Sequence, residues 1–282
     1  MVSLAEKTHR AEYLQTTYQI SERRACQVLS INRNTKRSYE RKGLVADKDD
    51  KVIELSMAEP RWGYRKVYDR LKLDNVRIGR ETVRLIRKRE GLQVRKKQHK
   101  KRHPGPSGLL SVAAYPHHVW CYDFVFDTTA ESRCLKCLTI VDEYSRLGLK
   151  IECARSITAK GVIQVLSDLF ATWGRPYAIR SDNGPEFVAK EIQRWFKKQR
   201  IQTKYIKPGS PWQNGYAESF NSIFRDDCLN RWAFHNIREA KVIINQWLEK
   251  YNEYRPHGSI DGLTPKLFLD QWQQKQTKNK AA

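Results

Sequence analysis

Long apolar stretches and a secretory leader are both missing from this 282-residue sequence. No run approaches the roughly 18 apolar residues of a membrane span, and the start MVSLAEKTHR lacks the apolar core of a secretion signal. Six cysteines are scattered along a long basic chain, which argues against a disulfide framework. We therefore expect a soluble intracellular protein with reduced thiols and no membrane-spanning segment.

Acidic side chains are scarce relative to basic ones. The chain has 53 Lys and Arg against 31 Asp and Glu, a net charge of +22, and residues 1–110 alone hold 28 basic and 13 acidic side chains. An excess of this size predicts a polyanionic partner, and nucleic acid or an anionic membrane surface would both fit. The N-terminal part is the main source of this charge.

The composition changes along the chain at a basic, Pro- and Gly-containing stretch. We interpret residues 95–110 as a linker between folded parts, preceded by a helix-turn-helix region at 1–45 and a second helical DNA-binding region at 46–94. Three short helices are expected in the first region, at LAEKTHRAEYLQTTY, SERRACQVLS and NRNTKRSYERK. In this linker the residues expected to contact DNA are Lys96, Lys97, Lys100, Lys101 and Arg102.

A stripe of arginines is predicted on the helix RETVRLIRKREG. Arg80, Arg84 and Arg87 recur at i, i+4 and i+7, while Val83 and Ile86 are available for packing. Such a stripe is often only a solvated face. Because the surrounding region is so basic, we expect these three arginines to contact DNA phosphates.

After the linker, the pattern predicts an α/β domain. Three β-prone runs, VWCYDFVF, CLKCLTIV and LGLKIEC, are expected to form consecutive antiparallel strands, and the order continues as βββαβαβα. The first helix of this order is expected from about Ala159 to Trp173, closed by Gly174. We assign the catalytic core to residues 111–235 and a C-terminal helical extension and tail to 236–282, with QQKQTKNKAA as the tail.

Three carboxylates stand in unusual settings. Asp123 interrupts an apolar strand, Asp182 follows a strand in IRSDNGPEF, and Glu218 lies in the first turn of a predicted helix. Each has a structural alternative, such as a turn for Asp182 or a favourable helix-start charge for Glu218. Together, oxygen ligands without a His or Cys cluster favour Mg²⁺ or Mn²⁺ and phosphodiester chemistry.

The motifs WCYDF, SDNGPEF and PGSPWQNGYAESFN, with 35 residues between Asp182 and Glu218, resemble those of DDE transposases and retroviral-type integrases. The likeness is strongest to the IS-three family of bacterial insertion sequences. It extends to residues 20–39, to RWGYRKVYDRL and to YNEYRPHGSIDGLTP, and so covers nearly the whole chain.

The resemblance implies an RNase H-like core, a mixed five-stranded sheet with flanking helices, behind an all-α helix-turn-helix region. It implies that Asp123, Asp182 and Glu218 are catalytic and hold two Mg²⁺ or Mn²⁺ ions. It also implies double-stranded DNA partners, namely terminal inverted repeats and target DNA, and a homo-oligomeric synaptic complex on the bacterial nucleoid. A chain of this type is often OrfB, acting with or fused to an OrfA segment.

Further DNA contacts are expected around the glutamate. Arg225 would share the helix face of Glu218 and could reach a phosphate, although a plain surface arginine is equally consistent with the sequence. The loop before the helix contributes other candidates for base or phosphate contact, with core anchoring as the alternative for the tryptophan. These candidates are Lys207, Trp212, Gln213 and Asn214.

We accordingly predict a metal-dependent DNA transposase that cuts and joins strands at the ends of an insertion sequence. Two alternatives remain: a nuclease or resolvase on the same fold, and a non-catalytic DNA-binding regulator of transposition. A joined product would exclude the nuclease or resolvase, and metal-dependent cutting would exclude the non-catalytic regulator.

Overall fold

The computed structural model describes residues 4–94, 113–181, 189–205 and 215–281. The chain divides into two compact units, Met1–Arg95 and Lys96–Ala282. The predicted basic linker lies outside the described residues, so its role stays a prediction. No helix in the described ranges is long and apolar enough to cross a membrane.

The described part of the first unit is helical, as predicted. Its helices are α1 (Leu4–Tyr18), α2 (Glu22–Val28), α3 (Arg33–Ala58), α4 (Tyr64–Leu73) and α5 (Arg80–Arg89). The Ser21 side chain caps α2 by accepting a hydrogen bond from the Arg24 backbone N–H at 3.3 Å. Trp62, Val67 and Val83 are fully or almost fully buried and form part of this unit's core.

Helix α3 is longer than the sequence pattern predicted. The pattern indicated a short helix near NRNTKRSYERK and a division between regions at residues 45 and 46, whereas α3 continues from Arg33 to Ala58. The buried positions Val52 and Leu55 lie in its second half. Tertiary packing of these residues explains why the helix continues through a highly charged stretch.

The second unit contains a mixed sheet, confirming the predicted class. Its strands are β1 (Val119–Thr128), β2 (Cys134–Asp142), β3 (Gly148–Ala154), β4 (Ala178–Ser181) and β5 (Gln202–Tyr205). They are arranged in the order β3-β2-β1-β4-β5. The pairs β1–β2 and β2–β3 are antiparallel, as expected, and β4 is parallel to both β1 and β5.

Helices cover both faces of this sheet. They are α6 (Ala159–Trp173), α7 (Lys190–Gln199), α8 (Gly215–Asp227), α9 (Ile237–Glu253) and α10 (Pro265–Ala281). Helices α6 and α7 pack on one face, and α8 and α9 on the other. The predicted order βββαβαβα is confirmed, and α10 includes most of the segment expected to form a tail.

Local signals in the sequence set the ends of α6. Thr158 caps its start by accepting from the Gly161 backbone N–H at 3.3 Å, and Gly174 ends it with φ of +79°. The predicted bounds of this helix are therefore confirmed. Its buried residues Val162, Leu166 and Leu169 face the sheet.

A close approach at Gly148 brings α8 and α9 onto the sheet. A Cβ atom at this position would lie 2.5 Å from Leu248 Cδ1 and 3.0 Å from a ring atom of Phe220. A larger residue here would require the Leu248 and Phe220 side chains to shift. Helix α8, which carries Glu218, is thereby held close to β2 and β3.

Candidate active site

Strand β1 carries Asp123 on the face covered by α8 and α9. Alternate side chains of a strand point to opposite faces, and Cys121 and Val125 pack with α8 and α9, whereas Trp120 and Tyr122 pack with α6 and α7. Asp123 shares the face of Cys121 and Val125 and is half-buried. A carboxylate in this apolar setting requires polar partners.

Asn221 on α8 supplies one of these partners. Its side-chain Nδ2 donates to Asp123 Oδ2 at 2.8 Å, and its Oδ1 accepts from the Thr139 hydroxyl on β2, also at 2.8 Å. The second oxygen of Asp123 accepts from the Phe124 backbone N–H at 2.8 Å. Thr139 therefore holds the Asn221 amide through its oxygen, and the amide nitrogen orients the Asp123 carboxylate.

Glu218 lies three residues before Asn221 on the same helix. Residues three apart on a helix share a face and are separated by roughly 4.5 Å along the axis. Because Asn221 contacts Asp123, this spacing places Glu218 about one helical turn from that contact. Its side chain is exposed, in the first turn of α8.

Asp182, the third predicted carboxylate, lies outside the described residues. Strand β4 ends at Ser181, directly before it in the chain, and Arg180 on β4 is the register partner of Cys121 on β1. Among the described residues there is no group of three His, Cys, Asp or Glu side chains placed to hold a metal ion. Asp123 and Glu218 are the two predicted carboxylates whose surroundings can be described.

Arg225 is engaged within the protein. One guanidinium nitrogen donates to the Phe126 carbonyl at 2.7 Å, and another lies 3.8 Å from Asp127 Oδ2. These contacts attach the C-terminal half of α8 to the end of β1. The side chain is nevertheless 44 % exposed, and its contact with DNA stays a prediction.

A buried ion pair joins β4 to the end of β2. Arg180 Nη1 lies 3.0 Å from Glu143 Oε2, and both side chains are 1 % exposed. The Cys121 thiol donates to the same carboxylate at 3.6 Å. Burial raises the pKa of Glu143, with Arg180 acting in the opposite direction.

A cavity of about 460 Å³ lies beside this pair, next to the start of α8. Its lining includes Glu143, Arg180, Tyr216 and Ser219 but neither Asp123 nor Glu218. Arg146 crosses its edge by stacking on the Tyr216 ring at 4.0 Å and donating to the Ser259 hydroxyl at 3.2 Å. We assign this cavity to packing of α8 against the C-terminal part of the unit.

The predicted arginine stripe on α5 requires correction. Arg87 is 2 % exposed and donates to the backbone carbonyls of Trp62 and Leu92, each at 2.6 Å. It is therefore a core residue that satisfies two carbonyls, and it cannot reach a phosphate. Arg84 pairs with Glu81 at 2.5 Å, and Arg80 is exposed with its guanidinium 5.1 Å from the Tyr68 ring.

Most of the other predicted DNA contacts fall outside the described residues and stay predictions. These are the linker residues Lys96, Lys97, Lys100, Lys101 and Arg102 and the loop residues Lys207, Trp212, Gln213 and Asn214.

Sequence reasoning missed two pairs of residues at this site. Asn221 and Thr139 orient Asp123, and Glu143 and Arg180 form the buried pair. The only sequence signal for Asn221 was its spacing of three from Glu218. No local pattern in the sequence indicates that Glu143 and Arg180 meet.

Comparison with known proteins agrees with this architecture. Two family models, each described as an integrase core domain, match residues 113–211 and 199–265. The chain is 34% identical over 265 residues to the 39.2 kDa protein of insertion element IS476 from Xanthomonas euvesicatoria, covering 92% of this chain and 75% of the relative. It is 32% identical over 254 residues to the 31.7 kDa protein of IS407 from Burkholderia multivorans, covering 88% and 90%.

Two solved structures to which the chain is similar come from viral proteins. The intasome of simian T-cell lymphotropic virus in complex with the PP2A regulatory subunit B56 gamma aligns at 18% identity and a TM-score of 0.49, covering 71% of this chain and 74% of that one. The trimeric form of the HTLV-2 integrase catalytic core domain, solved with magnesium, aligns at 21% identity and a TM-score of 0.43, covering 55% and 98%.

The strand order, the helices on both faces and the two family matches define an RNase H-like integrase core. With relatives above 30% identity along most of both chains, the protein belongs to the family of bacterial insertion-element transposases that carry this core. The predicted family, fold class and function are thus confirmed. The protein is a polynucleotidyl transferase that acts on DNA.

Proposed function

We propose that Asp123, Asp182 and Glu218 together hold two divalent ions, Mg²⁺ or Mn²⁺, and catalyse strand cleavage and strand transfer at the ends of the insertion element. One observation carries this proposal. Asn221 connects the Glu218 face of α8 to the Asp123 carboxylate on β1, with its donor 2.8 Å from that carboxylate. This contact supports the proposal that Asp123 and Glu218, which are distant in the sequence, contribute to one site.

The donor set fits a hard divalent cation. Asp123 and Glu218 offer carboxylate oxygens only, and Mg²⁺ and Mn²⁺ prefer such ligands. Asp123 is oriented by Asn221, while Glu218 makes none of the hydrogen bonds or ion pairs found among the described residues. Asp182 directly follows the last residue of β4, a strand paired with β1. A third carboxylate at that point completes the oxygen-rich site.

The residues of the chain have separate tasks in this proposal. Asn221 and Thr139 keep the Asp123 carboxylate in one orientation, so that little reorganisation is needed when DNA binds. Glu218 is exposed on α8 and is therefore accessible to a DNA strand. Bound ions would supply activation of the attacking oxygen and stabilisation of the leaving oxygen in an in-line displacement.

Two displacements would then occur at the same carboxylates. In the first, water cuts the strand at the element's end and leaves a 3′-hydroxyl. In the second, that hydroxyl attacks a phosphodiester of target DNA and displaces a new 3′-oxygen. In each step one phosphorus–oxygen bond forms and one breaks.

The proposed partners follow from the charge and from the chemistry. The N-terminal helical unit, with its predicted helix-turn-helix, would bind the terminal inverted repeats on the nucleoid. Joining two ends requires at least two active sites, so we propose a homo-oligomeric synaptic complex. An OrfA segment is a further proposed partner for end recognition.

The two alternatives predict different products. A nuclease or resolvase would leave cut strands without new joints, and a regulator would bind without cutting. The oriented carboxylate at Asp123 favours an active enzyme over a regulator, since a buried polar network of this kind is costly to keep without use. The joined product distinguishes a transposase from a nuclease.

The variant Asp182→Asn tests whether one site performs both steps. Denaturing gels would follow labelled intact end DNA for cutting and precut end DNA, with a free 3′-hydroxyl, for joining. We expect both reactions to be lost, with Asp168→Asn on the exposed face of α6 as an active control. Joining of precut DNA by Asp182→Asn would overturn the single-site proposal.

Replacing Asn221 tests its positioning role. In Asn221→Leu the Asp123 carboxylate loses a hydrogen bond, and we expect metal affinity or activity to fall about 10- to 100-fold, as for other residues that support metal ligands. The metal concentration for half-maximal cutting should rise. Asn252→Leu, which removes a purely structural amide paired with the Gly148 backbone at 2.8 Å, should lower stability without that rise. An unchanged metal requirement in Asn221→Leu would contradict the assignment.

A further inference from the structure

A basic cavity lies at the end of the β1–β2 hairpin, away from the carboxylates. It has a volume of about 440 Å³, and its lining includes Arg133, Arg155, His235 and Arg238. These residues come from the hairpin, from the segment after β3 and from the start of α9. Three separate parts of the chain therefore bring positive side chains to one concave surface.

The charge of this cavity is only partly neutralised. Glu131 is the acidic residue in its lining, and it pairs with Arg133 at 3.1 Å, with both side chains more than half exposed. Arg155 and Arg238 are exposed and form no ion pair with any described residue. Arginines left unpaired around a cavity are suited to an anionic ligand, because the guanidinium fork matches phosphate.

Side chains, rather than the end of a helix, provide this charge. The first turn of α9 is already capped, since Asn236 accepts from the Glu239 backbone N–H at 3.0 Å and Glu239 accepts from the His235 backbone N–H at 2.6 Å. The hairpin is fixed against this segment by a hydrogen bond from the Ala130 N–H to the Phe234 carbonyl at 2.8 Å. The cavity is thus built on ordered backbone.

The position of the cavity relates it to the proposed active site. Thr129, which lines the cavity, is six residues beyond Asp123 along β1 and its end. At about 3.3 Å per residue the separation is about 20 Å, which corresponds to about six base pairs of B-DNA at about 3.4 Å each. Helix α8 runs in the same direction, from Asn221 beside Asp123 to Arg225 beside Asp127.

We propose that Arg133, Arg155 and Arg238 form a docking surface for the phosphate backbone of the element-end duplex, about six base pairs from the bond that is cut. This inference rests on the proposed function, because it places the cut bond at Asp123 and Glu218. In the proposed reaction the end strand is cut before it is joined to target DNA, so we assign this surface to the end duplex rather than to the target. Phosphate contacts of this kind fix register without reading sequence.

The test is the salt dependence of binding by the full-length chain. Labelled end duplex is titrated with wild type and with Arg155→Ala/Arg238→Ala at several salt concentrations, without divalent metal, so that the outcome is independent of catalysis. Two lost phosphate contacts should flatten the slope of log Kd against log salt by about 1.8 and weaken binding by roughly tens of times at about 0.1 M salt. Cutting in Mg²⁺ should fall in parallel.

A matched control removes the same charge elsewhere. Arg194→Ala/Lys197→Ala changes two exposed cations on α7, which packs on the opposite face of the sheet, and should leave the slope close to wild type. An unchanged slope in Arg155→Ala/Arg238→Ala would overturn the proposal. Normal end binding and cutting with loss of joining alone would also overturn it, because that result would assign the surface to target DNA. The two proposals can fail separately. If the slopes of wild type and Arg155→Ala/Arg238→Ala differ as expected but wild type never cuts, the docking surface is supported and the proposed catalytic site is not.

Discussion

Asp123→Asn and Glu218→Gln should each abolish both strand cutting and strand joining while DNA binding persists. Each change keeps the size of the side chain but removes the charge needed to hold a divalent ion. Charge stabilisation by such an ion contributes several kcal/mol to the transition state, and about 4 kcal/mol corresponds to about a thousandfold in rate. We therefore expect at least this loss in each variant, measured as cut and joined strands on a denaturing gel in Mg²⁺.

The control for this experiment is Glu249→Gln, which removes an exposed carboxylate on α9. It should cut and join at the wild-type rate, because its charge lies outside the site. Thermal unfolding of all three variants should be close to wild type, since Glu218 is exposed and an asparagine at position 123 can still accept from Asn221. Substantial cutting by either carboxylate variant would contradict the assigned roles.

Arg180→Met should destabilise the second unit strongly. The Glu143 carboxylate, 1 % exposed and 3.0 Å from Arg180, would be left charged and buried without its partner. Breaking a buried pair in this way typically costs about 3–5 kcal/mol. The expected decrease in the free energy of unfolding is measured by chemical denaturation at neutral pH. Lys266→Met, which breaks an exposed pair with Glu253 at 2.5 Å, should cost only about 0–1 kcal/mol.

The loss in Arg180→Met should depend on pH. Burial already raises the pKa of Glu143 in the wild type, and removal of Arg180 would raise it further. Above pH about 4.3, the ordinary pKa of glutamate, Glu143 is deprotonated in the unfolded state but still protonated in the native state. Stability of the variant therefore falls as pH rises from that value toward the folded-state pKa, and the deficit is smallest in acid.

A double variant distinguishes a lost ion pair from a general packing defect. Glu143→Leu/Arg180→Met removes both charges and places apolar side chains in the same volume, an exchange that is often neutral or stabilising. We expect it to recover most of the stability lost in Arg180→Met. No recovery would indicate that the pair acts chiefly through its shape and hydrogen bonds.

The elements that sequence predicted best are those with local signals. Helix α6 was predicted with its observed bounds, because Thr158 and Gly174 are strong end signals and its apolar residues repeat with helical period. The three antiparallel strands were predicted from short β-prone runs. By contrast, α3 continues to Ala58 through a charged stretch where local propensity favours an end.

Contacts between residues that are distant in the sequence could not be predicted from its pattern. Arg87 has the spacing of an exposed stripe on α5, yet two carbonyls, those of Trp62 and Leu92, hold it in the core. Asn221 could be placed on the face of Glu218, but its contact with Asp123 depends on how α8 packs on the sheet. Gly148 permits that packing, and nothing local to it predicts the approach of Phe220 and Leu248.

Asp123, Asp182 and Glu218 are proposed to hold divalent metal, and a measurement of bound Mn²⁺ tests this proposal most directly. Electron paramagnetic resonance would measure Mn²⁺ bound by the full chain in complex with an uncleavable end duplex, for wild type and for Asp123→Asn. We predict that wild type binds up to two ions per chain and that Asp123→Asn binds fewer, with Glu249→Gln unchanged. Equal Mn²⁺ binding by wild type and Asp123→Asn would contradict the account.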